Sequence, residues 1–476
     1  MESTAPHRPF GLIIAVLAFA GLGASFMQTI LIPIQPELPR LLSASSDDTP
    51  WVITATLVAA AVCTPIAGRL GDMYGKRRIA MALLLLQACG AILAALSETL
   101  VPMIIARVLQ GMAAGVIPLG ISILRDVLPA KRLGSAIALV SATLGVGGAL
   151  GLPLSAFVAA NFDWHALFWL AAGIAIACFV LYAVVVPAST LRSPGRLDVV
   201  GIIGLALGLV GTLIAISRGG EWGWGDGRTL GFLIGGVVIL LVWGVYELRV
   251  KDPLVDLRVS ARGAVLLTNL ASVAMGFALF ASNVVFPQLL ELPTATGIGL
   301  GLSLVVAAMV LAPSGLAMMA MSPVAGRLER IRGPKPLLVA GAAVIAVSYG
   351  AALLFHAEFW QILIVNILLG IGVGLGYAAM PALIMRAVPA SETGAANGLN
   401  ALMRSLGTSV AAAVVGAILA QSVTTVHGVV GPSESGFMIT LALGLGAAVL
   451  CVILAAFIPH PKKGAETAIP EGVLGD

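Results

Sequence analysis

The sequence predicts an all-α integral membrane protein with fourteen spanning helices: two six-helix bundles and two linker helices between them. Three observations carry that prediction. Of 476 residues, 59% are apolar and only 10% charged, with a mean hydropathy of +1.06, whereas a soluble protein carries about 25% charged residues. The charges gather between apolar runs of about 17–25 residues, each long enough to cross a hydrocarbon core as a helix. Finally, Pro65-Ile66-Ala67-Gly68-Arg69-Leu70 and Gly75 return as Pro323-Val324-Ala325-Gly326-Arg327-Leu328 and Gly333, always 258 positions later. A repeat of that span divides the chain into two related halves.

Taken in order, the apolar runs place α1 at 12–34, α2 at 51–70, α3 at 79–96, α4 at 101–124, α5 at 134–159, α6 at 166–186 and α7 at 199–216. They continue with α8 at 230–246, α9 at 265–289, α10 at 300–324, α11 at 337–355, α12 at 360–385, α13 at 399–420 and α14 at 438–458. The first run is too long for the apolar part of a secretory signal, so α1 is expected to be retained. Between α2 and α3 lies a hydrophilic turn with one carboxylate, Asp72, among glycines, followed by Lys76, Arg77 and Arg78. In α5, Gly147, Gly151 and Ser155 recur every four residues and share a face on which helices can approach closely. Pro153 there removes one backbone bond. A second echo pairs Gly111 and Gly115 of α4 with Gly370 and Gly374 of α12. Helices α7 and α8 have no counterpart in the repeat, and the Trp-rich turn at 219–227 suits a membrane interface. The expected domains are therefore 1–190, a six-helix bundle; 191–262, two linker helices; 263–458, a second bundle; and 459–476, a cytoplasmic tail.

Short loops rich in Lys and Arg stay in the cytoplasm. All but five of the 26 Lys and Arg residues fall on one side of this scheme, the side of both termini. Arg40, Arg218 and Arg228 lie opposite, and Arg107 and Arg404 lie within helices. Both termini are accordingly expected to be cytoplasmic, in the cell inner (plasma) membrane. The net charge of +4 is a topology signal here, and no nucleic-acid partner is expected. Cys63, Cys89, Cys178 and Cys451 sit inside apolar runs without metal or disulfide spacing, as packing residues do. No metal site, no cofactor and no enzyme chemistry are expected, since no acid, His or Cys cluster falls at one depth.

The stretch Gly68-Arg69-Leu70-Gly71-Asp72-Met73-Tyr74-Gly75-Lys76-Arg77-Arg78 resembles the loop between helices 2 and 3 of the major facilitator superfamily. Arg107-Val108-Leu109-Gln110-Gly111 is similar to that superfamily's RxxQG motif in helix 4. With fourteen helices, the chain resembles the drug:proton antiporter branch. The resemblance implies two bundles rocking about a central site, with Gly68, Asp72, Gly75, Arg77 and Arg78 as the conformational switch. Asp72 would face the start of α13 near Thr393 and Gly394, where free helix N–H groups favour an anion. Arg330 stands at the matching place in the second copy, so only the first copy is expected to make this anionic latch. Gly147, Gly151 and Pro153 resemble the family's antiporter motif, a flexible seam against the second bundle. Arg107 is expensive in a bilayer and is expected to face the central cavity, its charge met by Gln110, a carbonyl or a carboxylate. Arg404, about a turn and a half into α13, is either a second such residue or close enough to the surface to snorkel.

One departure matters. The drug-antiporter branch carries an aspartate in helix 1 where this chain has Met27. No acid lies mid-helix, which leaves Glu37 and Asp48 at outer ends as possible proton carriers. Uncharged polar groups, among them Gln28, Gln35, Gln110, Asn269, Tyr377, Asn397 and Asn400, describe an apolar cavity with a few hydrogen-bonding points. The expected function is export of small lipophilic compounds, driven by the proton gradient, by a monomer in the lipid bilayer. Neutral, anionic or lipid-like substrates are favoured over cations. Alternatives are an exporter dedicated to one lipid or secondary metabolite, and a membrane sensor that does not transport.

Overall fold

A computed structural model describes residues 9–45, 48–188, 191–193, 195–426 and 429–459. Among these, fourteen helices are long and apolar enough to cross a membrane. They are α1 Phe10–Thr29, α2 Trp51–Tyr74, α3 Lys76–Ala95, α4 Leu100–Val127, α5 Ala130–Asn161, α6 His165–Val185 and α7 Val199–Trp222. The rest are α8 Gly227–Glu247, α9 Gly263–Glu291, α10 Leu304–Arg332, α11 Pro334–Leu354, α12 Phe359–Ala387, α13 Thr393–Gln421 and α14 Glu434–Phe457. A hairpin of β1 Val423–Val426 and antiparallel β2 Val429–Pro432 joins the last two.

Three boundaries differ from the apolar runs, each for a physical reason. Helix α1 ends at Thr29 and passes into a 3-10 turn over Ile32–Glu37, because Pro33 and Pro36 cannot donate to a helical ladder. The hydrophilic stretch after α2 is not an open turn. It is helical to Tyr74 and helical again from Lys76, and Gly75 alone breaks the run with φ +106, a region that glycine enters without steric cost. Gly333, between α10 and α11, does the same at φ +83, so the internal repeat extends to the backbone. Helix α13 begins at Thr393 rather than near 399 because its first turns are polar yet packed, with Asn397 donating back to the Thr393 carbonyl.

The two halves pack alike. In the first, α1 lies on α5, α2 on α4 and α3 on α6; in the second, α9 lies on α13, α10 on α12 and α11 on α14. The first bundle has one apolar cluster around Val16, Leu84, Leu119 and Tyr182 and another around Met27, Leu31, Val52 and Phe168. The second is filled by Phe286, Leu338, Tyr349 and Phe437. Linker helix α7 sets Leu205, Leu209 and Leu213 against Ala61 of α2 and Leu399 and Leu402 of α13. Its far end is pinned where the Arg218 guanidinium lies 5.1 Å over the Trp51 ring. Helix α8 packs on α7 through Gly208 and Gly236 and otherwise presents apolar side chains outward.

Candidate functional site: the seam between the bundles

The bundles meet along two helix pairs, α2 with α13 and α5 with α10. At the first, Asp72 is wholly buried and its carboxylate accepts hydrogen bonds from the Gly394 N–H at 3.0 Å and the Ala395 N–H at 2.8 Å. Both donors lie in the first turn of α13, where backbone N–H groups have no helical partner and the helix dipole favours an anion. Glycines make the approach possible. A Cβ at Gly68 would overlap the Gly394 carbonyl oxygen, and one at Gly398 would come within 2.8 Å of the Thr64 carbonyl.

Lys76, the first residue of α3, is buried beside this tie. Its ammonium donates to Asp126 Oδ2 at 2.8 Å and to Thr393 Oγ1 at 3.1 Å, and lies 3.9 Å from Asp72 Oδ1. Asp126 completes the network from the end of α4; nothing in the spacing of the sequence singled it out. The two cations that follow Lys76 are not at the seam. Arg77 donates to the Ala183 carbonyl of α6, within its own bundle, and Arg78 is exposed. A cavity of about 170 Å³ opens beside the seam, lined by Arg69, Ser193, Lys251, Asp252 and Glu392.

At the second pair, a Cβ on Gly326 would come within 2.5 Å of the Ser135 backbone, and Gly134 lies against the Glu329 carboxylate. Glu329 is the acid that the sequence reading missed, because it stands one position before the place aligned with Asp72. Among the described residues it accepts no backbone N–H; its Oε1 instead meets Arg386 at 3.3 Å. The first copy thus makes the helix-end tie and the second makes an ion pair.

Several sequence expectations take a different form in the structure. Arg107 does not open on a cavity. It is 1% exposed and donates to the Met27 carbonyl at 3.0 Å, the Val52 carbonyl at 3.4 Å and Gln110 Oε1 at 2.6 Å, tying α1, α2 and α4 together without a carboxylate. Gly147 and Gly151 allow close approach, but to Ser25, Phe26 and Thr29 of α1. It is Gly145 that meets the second bundle, at Met318, and α5 runs unbroken through Pro153. Glu37 and Asp48 are exposed and locally engaged, the first with Arg40 at 2.9 Å and the second with Ser45 Oγ at 2.7 Å. Gln35 is exposed, and the side chain of Gln28 lies outside the described residues. Arg404 is not near a surface: with α13 starting at Thr393, it is eleven residues in, about 16 Å along the axis.

The family model described as Major Facilitator Superfamily matches residues 17–412 and, in a second match, 268–474. An uncharacterized MFS-type transporter of Mycobacterium tuberculosis is 26% identical over 416 residues, which is 86% of this chain but 59% of the relative. The chain therefore spans under two thirds of that relative's length. The lincomycin resistance protein of Listeria monocytogenes is 26% identical, over 94% of this chain and 97% of its own. The tetracenomycin C resistance and export protein of Streptomyces glaucescens is 27% identical, over 87% and 77%. Among solved structures, the human organic anion transporter MFSD10 superimposes with a TM-score of 0.68 over 94% of this chain and all of its own, at 14% identity, which speaks for the fold alone. With its fourteen spanning helices, its two like bundles and a family match across most of its length, the chain is a multi-pass membrane protein that belongs to the major facilitator superfamily.

Proposed function

We propose that the chain exports small lipophilic compounds by alternating access, driven by the proton gradient, with both termini on the cytoplasmic side of the inner (plasma) membrane. The observation that carries this reading is the Asp72 tie. A side chain of one bundle holds the helix end of the other, on the side where loop cations gather and which is therefore cytoplasmic. A tie of this kind is worth about 1–2 kcal/mol, enough to favour one of two states without locking it. Both seam pairs meet on that side, as they do in an exporter closed to the cytoplasm. The names of the Listeria and Streptomyces relatives, for resistance and for export, support the direction of transport. The transmembrane potential contributes about 2.3 kcal/mol per charge per 100 mV, so one proton per cycle sustains a useful concentration ratio. A proton delivered to Asp72 removes the charge that the α13 N–H groups attract, which couples protonation to opening.

The test is lumen pH in proteoliposomes holding the purified protein, with a lipophilic compound added outside. Substrate-dependent proton movement, strongly reduced in Asp72→Asn, is the expected result. Compound flux with no proton signal would remove the coupling from this reading. The Streptomyces relative, named for a single compound, favours a second reading as a dedicated exporter, and a flux profile confined to one chemical class would select it.

A further inference from the structure

We propose that Arg404, stacked on Tyr377 inside the second bundle, is the anion-recognition point of a binding site for lipophilic organic acids. The claim rests on the exporter reading only where it calls the bound acid a substrate. Depth is the first observation. Arg404 is eleven residues from the start of α13, about 16 Å, and Tyr377 is ten residues from the end of α12 on the same side, about 15 Å, given helices Thr393–Gln421 and Phe359–Ala387. Both helices have 29 residues, about 43 Å, so the pair lies about 5 Å to the tie side of their midpoints and within a hydrocarbon core about 30 Å thick.

Direction is the second. Asn397 lies seven positions before Arg404, two helical turns, and so on the same face. Its side chain reaches Ser122 of the first bundle at 3.4 Å. Arg404 therefore lies on the face of α13 that borders the first bundle at Asn397, with its Cγ packed against Gly276 of α9, about 10 Å further from the Asp72 tie. One turn below, Asn400 is fixed by Asn269 at 2.9 Å and Ser272 at 2.7 Å, which gives the floor of the site a polar and rigid character.

Charge is the third. The Arg404 guanidinium sits 4.8 Å over the Tyr377 ring and is half-buried. Among the described residues no carboxylate forms an ion pair with it. Stacking occupies the face of a guanidinium and leaves its in-plane N–H fork open, the geometry that grips a carboxylate or sulfonate in bidentate fashion. Arg107, by contrast, directs its donors at two carbonyls and Gln110. Among the described residues, Arg107 is met by three oxygen acceptors, whereas Arg404 has the Tyr377 ring and no ion-pair partner. An organic acid matches that charge, and a cation meets repulsion.

The experiment uses the full chain in lipid nanodiscs and two fluorescent probes on one ring system, the anionic anilinonaphthalene sulfonate and the neutral phenylnaphthylamine. Binding is read by fluorescence for wild type, Arg404→Gln and Arg404→Lys, and flux of the same probes is read in proteoliposomes. The proposal expects Arg404→Gln to weaken the sulfonate by tenfold or more while the neutral probe changes less than twofold, with Arg404→Lys in between. Equal loss of both probes, or sulfonate binding indifferent to Arg404, overturns it. Discs made with and without phosphatidylglycerol separate two sources of the anion: competition by the lipid assigns an anionic headgroup, and its absence assigns a free organic acid. Arg404-dependent binding without flux of either probe supports the site and removes the exporter reading, so the two failures are distinguishable.

Discussion

The α2–α13 seam and the α5–α10 seam are built from the two copies of one motif, and they close by different chemistry. In both, a glycine lets backbone meet backbone: Gly68 against Gly394, and Gly326 against Ser135. In both, a positive-φ glycine, Gly75 or Gly333, ends the helix and starts the next. The acids differ. Asp72 is buried and accepts two backbone N–H groups of the opposite bundle, whereas Glu329 faces Arg386, a partner whose side chain is half exposed. Backbone shape has been kept in both copies, and the charge that reads the partner's helix end exists in only one. Steric fit brings backbone against backbone at both seams, while among the described residues a buried carboxylate meets the opposite bundle's helix end at only one.

The largest effect is expected from spoiling the part the two seams share. Gly68→Ala puts a Cβ over the Gly394 carbonyl oxygen, within 2.7 Å of its carbon and 3.0 Å of Ala395 Cα. The obstacle is backbone, which cannot rotate away, so the helices must part. Overpacking of this kind costs about 1–3 kcal/mol, and it falls wholly on the state in which the seam is closed. Labelling of a cysteine introduced at the Thr393 end of α13 is expected to rise about tenfold, with flux lost. Unchanged labelling would mean that the seam closes elsewhere.

How much of this was legible beforehand depends on the residue. The fourteen helices follow from apolar length, which a bilayer enforces, and the repeat follows from two near-identical hexapeptides. Helix ends were less legible, since apolarity stops where packing of polar residues begins. Thr393, Asn397 and Asn400 are buried by the seam and by one another, so α13 runs two turns beyond its apolar run. That shift alone moved Arg404 from near the surface into the hydrocarbon core. Glu329 and Asp126 escaped for another reason: a motif aligned by position shows which residue stands where, but not which carboxylate folds into the gap. The sequence marks Arg107 as a deep cation of the first bundle but not its acceptors, because which backbone carbonyls of α1 and α2 fold against it is invisible in a sequence.

Asp72→Asn removes the buried charge that, among the described residues, the first seam alone sets against a helix end. The amide is isosteric and retains one acceptor, but it loses the negative charge that the α13 end attracts, about 1–2 kcal/mol. The closed population is expected to fall roughly five- to thirtyfold, measured by the same cysteine labelling. Asp72→Glu is expected to recover only part of this, because the Gly68–Gly394 contact leaves no room for an added methylene.

Glu329→Gln is the smallest and the most discriminating change. If the two seams were equivalent latches, it would match Asp72→Asn. The geometry says otherwise: no described backbone N–H donates to Glu329, and its cation partner is half in water, where an ion pair is worth about 0–1 kcal/mol. Labelling is therefore expected to change by less than about fivefold, and less still in high salt, which screens an exposed pair but not the buried Asp72 tie. A Glu329→Gln effect as large as that of Asp72→Asn, and insensitive to salt, would show that the second carboxylate finds a buried donor in α5 during the cycle. The asymmetry between the seams would then belong to one conformation rather than to the transport mechanism.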